Sequence, residues 1–169
     1  QDYKFGVLYA HIGLGQACIM LGDTTAINHL GQAKLLAESE RNDSALCSIY
    51  NGMGLYASNI HRDYYSALHY FFEGIEAAHR CHYKELEAIL LGNVSSVYFL
   101  KDDPAGLTYS LQIYELGHQL NSAYLIFIGA LDASYMYYLL HEYDKALPYI
   151  QEAEFIMKQN EYYNQGNVY

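Results

Sequence analysis

The sequence predicts an all-α fold, a solenoid of antiparallel helix pairs, and three observations carry that expectation. The first is a set of similar segments: "GDTTAINHLGQA", "RDYYSALHYFFEG", "DDPAGLTYSLQ" and "EYDKALPYIQEA". Each holds an aspartate, an alanine two to four residues later, and a bulky apolar or aromatic residue four beyond the alanine. The aspartates Asp23, Asp63, Asp103 and Asp144 are spaced by 40, 40 and 41 residues. The second is a small residue upstream of each aspartate: Gly15, Gly54, Gly92 and, by position, Ala133. Two markers sharing one period identify an internal repeat. The third is the lack of any run alternating apolar and polar residues, so no strand pattern competes.

Each repeat therefore reads as two helices, the first around the small residue and the second opening at the aspartate. An aspartate at a helix N-cap accepts a backbone N–H of the first turn, and its charge suits the positive end of the helix dipole. The repeats fall at about 3–41, 42–82, 83–121 and 122–159. In the first, Gly15 precedes Asp23, Ala26 and Leu30. In the second, Gly54 precedes Asp63, Ala67 and Phe71. In the third, Gly92 precedes Asp103, Ala105 and Tyr109, and Pro104 takes the first helical position, where its missing N–H costs nothing. In the fourth, Ala133 precedes Asp144, Ala146 and Ile150, and Pro148 falls about four residues into its helix, where it removes a hydrogen bond or shifts the start. Gly54 and Gly92 are expected where the two helices of a repeat touch, so that Gly92→Leu would overpack the contact. "QGNVY" at 165–169 echoes "LLGNVSSVY" and reads as a truncated fifth repeat over 160–169, the mark of one segment of a longer protein. All of 1–169 is expected to form one repeat domain.

Leu14-Gly15, Met53-Gly54 and Leu91-Gly92, with Ala26, Ala67, Ala105 and Ala146, resemble the tetratricopeptide repeat (TPR) family along essentially the whole chain. The chain departs from that pattern in lacking tryptophan, in Ala133 for glycine, and in the missing terminal proline. Its period near forty is similar to the longer repeats of bacterial signalling proteins and transcription regulators. The resemblance implies a right-handed superhelix whose first helices line a concave groove holding a protein or peptide. Carried over by counting from the small residue, the groove positions are Gln16; Asn51, Leu55, Ser58 and Asn59; Asn93, Ser96 and Val97; and Ser134, Tyr137 and Tyr138. Tyr137 would be the dominant contact and Asn93 a lesser one. The family's carboxylate-gripping subclass needs groove cations, and the first helices hold only Lys4 and Lys84, at their starts. The expected module is non-catalytic, the sensor or partner-recognition part of a larger bacterial regulatory protein. Self-association or signal relay with an empty groove is the alternative.

Composition narrows the chemistry. A net charge of −10, with nine scattered Lys and Arg, argues against a nucleic-acid face. Cys18, Cys47 and Cys81 are odd in number and far apart, and read as small buried residues of a reducing compartment. No stretch is apolar for long enough to span a bilayer, so no membrane contact and a cytoplasmic address are expected of this segment. "HRCHY" offers His79, Cys81 and His82, three donors at one helix junction that cannot all point one way, against the four that zinc requires. No catalytic motif and no phosphate-binding loop stands in a supporting context, so neither catalytic residues, metal nor cofactor is expected. Of the twenty tyrosines most are expected in the core, with a minority facing the groove.

Overall fold

A computed structural model describes the backbone of residues 2–166 and the side chains of residues 3–159. Within those residues the fold is all-α, with eight helices, one 3-10 turn and no strand. The helices are α1 (Asp2–Met20), α2 (Ala26–Ser39), α3 (Asp43–Asn59), α4 (Tyr64–Cys81), α5 (Lys84–Leu100), α6 (Leu107–Gln119), α7 (Ala123–Leu139) and α8 (Tyr143–Gly166), with the 3-10 turn at Pro104–Gly106 before α6. Consecutive helices pack against each other. The chain divides inside α5 into two compact units, residues 1–90 and 91–169.

One junction recurs between successive helices. A single residue takes positive φ at Gly22, Arg41, Arg62, His82, Asp102, Asn121 and His141, and the chain re-enters a helix almost at once. The next residue's N–H usually reaches a carbonyl five positions back, as in Asp103 to Tyr98 and Ser122 to Gly117. This is the Schellman closure, which satisfies carbonyls orphaned at a helix end. Six of the seven residues are not glycine. Left-handed backbone costs such residues on the order of 1 kcal/mol each, offset by the hydrogen bonds that the turn makes. After Arg41, Arg62, Asp102 and Asn121 the next residue (Asn42, Asp63, Asp103 and Ser122) caps the helical segment that follows, so one junction ends a helix and starts another.

The aspartate caps as the sequence predicts in two repeats, Asp63 at α4 and Asp103 at the 3-10 turn before α6, whereas Asp23 lies two residues before Thr25, the N-cap of α2. Asp23 accepts from the Thr25 N–H at 2.8 Å, Asp63 from Ser66 at 3.1 Å and Asp103 from Ala105 at 3.0 Å. Ser66 also donates its hydroxyl to Asp63 at 2.6 Å, and these bonds hold the carboxyl below its usual range. In the fourth repeat Asp144 is not the cap. His141 takes the left-handed turn, Glu142 precedes α8, and Asp144 lies in the first turn, where its charge still suits the dipole. Pro148 is consequently deeper than expected, in the sixth position of α8, and its missing N–H leaves the Asp144 carbonyl without a helical partner. The caps of α3 and α7 are Asn42 and Ser122, which accept from Ala45 and Leu125. α8 runs on through Gly166, so the expected start of a fifth repeat at 160 shows no helix break, and residues 167–169 lie outside the described chain.

In the first unit the small positions carry the packing. Gly54 is buried against the Phe71 ring so closely that an added Cβ would overlap it. Phe71 itself is 1% exposed, a burial worth roughly 2–3 kcal/mol. Gly15 faces Leu30 in the same way, and Gly74 faces Leu90. The core around them includes Leu8, Ile12, Ile49 and Met53.

Gly92 departs from this pattern. A Cβ there would meet nothing within 4 Å, so the expected overpacking by Gly92→Leu does not hold. The junctions supply the reason. Gly15 and Gly54 lie seven and eight residues before their left-handed residues, Gly22 and Arg62. Gly92 lies ten before Asp102, whereas Ser95 lies seven before it. Ser95 is fully buried and meets Ser110 at 3.0 Å, on the side where Leu30 and Phe71 stand in the other pairs. The tightest backbone approach of the second unit lies elsewhere, between α6 and α7. There Gly129 faces the backbone of Tyr114, and Gly117 faces the backbone of Leu125 and Ile126.

Candidate partner-binding surface

The expected groove residues separate into outward and inward positions. In the first unit Gln16 and Asn59 are exposed, Asn51 and Leu55 are half-buried, and Ser58 is buried. The Ser58 hydroxyl lies 2.9 Å from Asn59 Oδ1 and 3.3 Å from the Leu55 carbonyl, so it is engaged within its own helix. In the second unit Ser96 is exposed and donates to the Gly92 carbonyl at 2.8 Å, and Asn93 is half-buried. Val97 is 2% exposed and Ser134 is 5% exposed, so both belong to the interior. Ser134 donates to the Leu131 carbonyl at 2.7 Å. For Val97 the register explains the miss, because counting started from Gly92 rather than from Ser95.

Tyr137 was expected to face a partner, and it does not lie open on a groove. Its ring stacks on Tyr149 of α8 at 5.7 Å between centroids, and Tyr149 packs edge-on against Tyr114 of α6 at 5.2 Å. Lys145 Nζ stands 5.8 Å from the Tyr137 centroid. This half-buried aromatic stack ties three helices together. Burial, and then the hydrogen bond to Glu152, pushes the Tyr114 hydroxyl up to about 12.

Tyr138, one residue on and so rotated by about 100° on the helix, is 58% exposed. It belongs to a ladder that the sequence reading missed. Phe99 and Tyr135 have centroids 4.5 Å apart, Tyr135 and Tyr138 6.3 Å, and Tyr138 and Tyr143 5.9 Å. Tyr135 donates to Asp102, whose carboxylate raises the phenol's pKa, and His141 Nδ1 lies 2.9 Å from the Tyr143 hydroxyl. Beside the ladder, the first turn of α8 and His141 line a cavity of about 290 Å³. Asp102, Glu142 and Asp144 make the surroundings acidic, relieved by Lys145, which pairs with Glu142 at 2.8 Å. The run "SYMYYLLHEY" was the available signal, but a run of tyrosines does not say which rings face outward.

A smaller cavity of about 190 Å³ in the first unit lies between Tyr56, His61, Asp63 and Tyr70. Its polar groups largely engage one another or nearby backbone. Tyr56 donates to the Thr24 carbonyl at 3.3 Å, His61 Nε2 stands 2.9 Å from the Tyr56 hydroxyl, and Asp63 caps α4.

Among the described residues no group of three or more His, Cys, Asp or Glu is placed to hold a metal ion. The "HRCHY" residues diverge: His79 pairs with Glu87 at 3.0 Å, Cys81 lies 3.6 Å from the Ala78 carbonyl, and His82 forms the left-handed turn. No described helix is long and apolar enough to cross a membrane.

The fold and surface define a class, an all-α protein of consecutively packed helices carrying an exposed aromatic patch. No protein-family model matches the chain, and no curated protein matches it. The likeness to tetratricopeptide repeats therefore rests on the residues alone.

Proposed function

We propose that the chain is a non-catalytic helical-repeat module, similar to tetratricopeptide repeats, that binds a protein or peptide partner. In this reading four helix pairs form a right-handed superhelix, and the module recognises a partner for a larger regulatory protein of bacterial type. The recurrence of one left-handed junction every 19 to 21 residues supports the repeat. The observation that carries the binding role is the exposed ladder Phe99–Tyr135–Tyr138–Tyr143, since partly exposed tyrosines supply interface area at low entropic cost. Its acidic surroundings suit a partner offering apolar and basic groups.

The experiment is affinity capture with the parent and with Tyr138→Ala, followed by titration of the partner recovered. Tyr138→Ala should weaken binding by about 2 kcal/mol while leaving the melting temperature unchanged. Equal affinity of both proteins would remove the ladder from the interface.

Self-association is the second reading, favoured by the exposed Leu147, Ile150 and Met157 on one stripe of α8. Sedimentation equilibrium separates the two. A monomer with a captured partner supports the first, and a concentration-dependent oligomer lost in Leu147→Glu supports the second.

A further inference from the structure

Cys47 and Cys81 lie 34 positions apart in the sequence, yet the α3–α4 hairpin brings them together. Arg80 donates to Asp43 through Nη2 at 2.8 Å and Nε at 2.9 Å, which clasps the last turn of α4 to the first turn of α3. Cys81 follows Arg80, and Cys47 is one turn on from Asp43. Side chains on a helix lean toward its N-terminus, so in an antiparallel pair these two lean toward each other. Cys81 packs against the buried cluster that contains Cys47. Cys47 is fully buried, Cys81 is partly exposed, and both are free thiols.

We propose that Cys47 and Cys81 form a redox-active thiol pair that closes to a disulfide by exchange with a low-molecular-weight disulfide such as glutathione disulfide. The accessible Cys81 loses its proton to water and attacks one sulfur of glutathione disulfide. The first glutathione thiolate leaves, and a mixed disulfide stays on Cys81. Cys47 then gives up its proton, its sulfur attacks Cys81 Sγ, and the second glutathione leaves. Two protein thiols are oxidised, and one glutathione disulfide is reduced to two glutathiones. Burial, then the neighbouring Cys81, pushes the Cys47 thiol up to about 12, which fixes the order of attack. The closed pair would bind the end of α4 covalently to the start of α3.

The test is peptide mapping of the folded protein after incubation with excess glutathione disulfide, acid quenching and alkylation. Trypsin cuts after Arg41, Arg62, Arg80 and Lys84, so Cys47 lies in peptide 42–62 and Cys81 in peptide 81–84. The expected product is these two peptides joined, lighter by two hydrogens than their sum. In Cys47→Ala the exchange should stop at Cys81 carrying one glutathione. In Cys81→Ser modification of Cys47 should slow by on the order of tenfold or more, because its attack on external disulfides is blocked by burial. A parent protein that ends with glutathione on Cys81 and a free Cys47 thiol would overturn the proposal. Equal modification of Cys47 with and without Cys81 would overturn it too.

Discussion

The α3–α4 and α5–α6 hairpins are each closed by the same left-handed turn, yet they fill the space between their helices with opposite chemistry. In the first, Gly54 receives the Phe71 ring. In the second, Ser95 meets Ser110, and Ser95 also reaches Asp132 of α7 at 2.8 Å. Ser110 in turn lies 3.1 Å from the Gly106 carbonyl, so a chain of hydroxyls ends on a carboxyl group. The backbone geometry needs only a small residue at one place and a partner opposite. Whether that contact is apolar or polar is left to the side chains. The polar solution carries a cost, since desolvation raises the Asp132 pKa against the opposing effect of the Ser95 hydrogen bond.

The largest effect is expected where backbone meets backbone. Gly129→Ala puts a Cβ about 2.5 Å from the Tyr114 nitrogen, which no rotamer change relieves. It should destabilise by about 2–3 kcal/mol even after the helix propensity gained, read as a shifted urea midpoint. A neutral Gly129→Ala would break the comparison by showing that α6 and α7 can part freely.

Next comes the tyrosine pair. Tyr137→Ala removes the centre of the three-helix stack and should cost on the order of 2 kcal/mol, whereas Tyr138→Ala should stay within about 0.5 kcal/mol. Melting both variants sharpens the division between framework and surface, and a reversed order would contradict it.

The smallest effect is the pH dependence of the polar hairpin. The folded-state pKa of Asp132 is raised, so its contribution is full below the ordinary aspartate range and is lost as pH rises through the folded value. Asp132→Asn stays neutral throughout. Its melting temperature relative to the parent should therefore climb between acid and neutral pH. A difference that is flat with pH would mean that the Asp132 carboxyl is not desolvated.

The sequence made the helix pairs and the caps at Asp63 and Asp103 legible because caps depend on local chemistry. An aspartate two to four residues before the alanine of a helix's first turn has few other uses. It misled where two residues could serve. In "EYD" either acid could open the helix, and the position of His141 decides that Glu142 precedes it while Asp144 falls in its first turn. In "GNVSS" glycine is the conspicuous small residue, yet Ser95, three positions on, is the one turned inward. Surface and interior at Tyr137 and Tyr138 differ by one step of helical rotation, and neighbouring helices set that phase. The Gly117 and Gly129 contact was missed because it joins the second helix of one repeat to the first helix of the next.

The register of the repeat is the claim on which these assignments turn, and thermal unfolding of Gly54→Leu and Gly92→Leu, followed by circular dichroism under one buffer, tests it most directly. The account predicts that Gly54→Leu costs about 3 kcal/mol, because the new side chain must displace the buried Phe71 ring. It predicts that Gly92→Leu is neutral or stabilising by up to about 1 kcal/mol, since leucine favours a helix and meets open space there. Equal destabilisation by the two substitutions would contradict it, returning the close contact of the third repeat from Ser95 to Gly92.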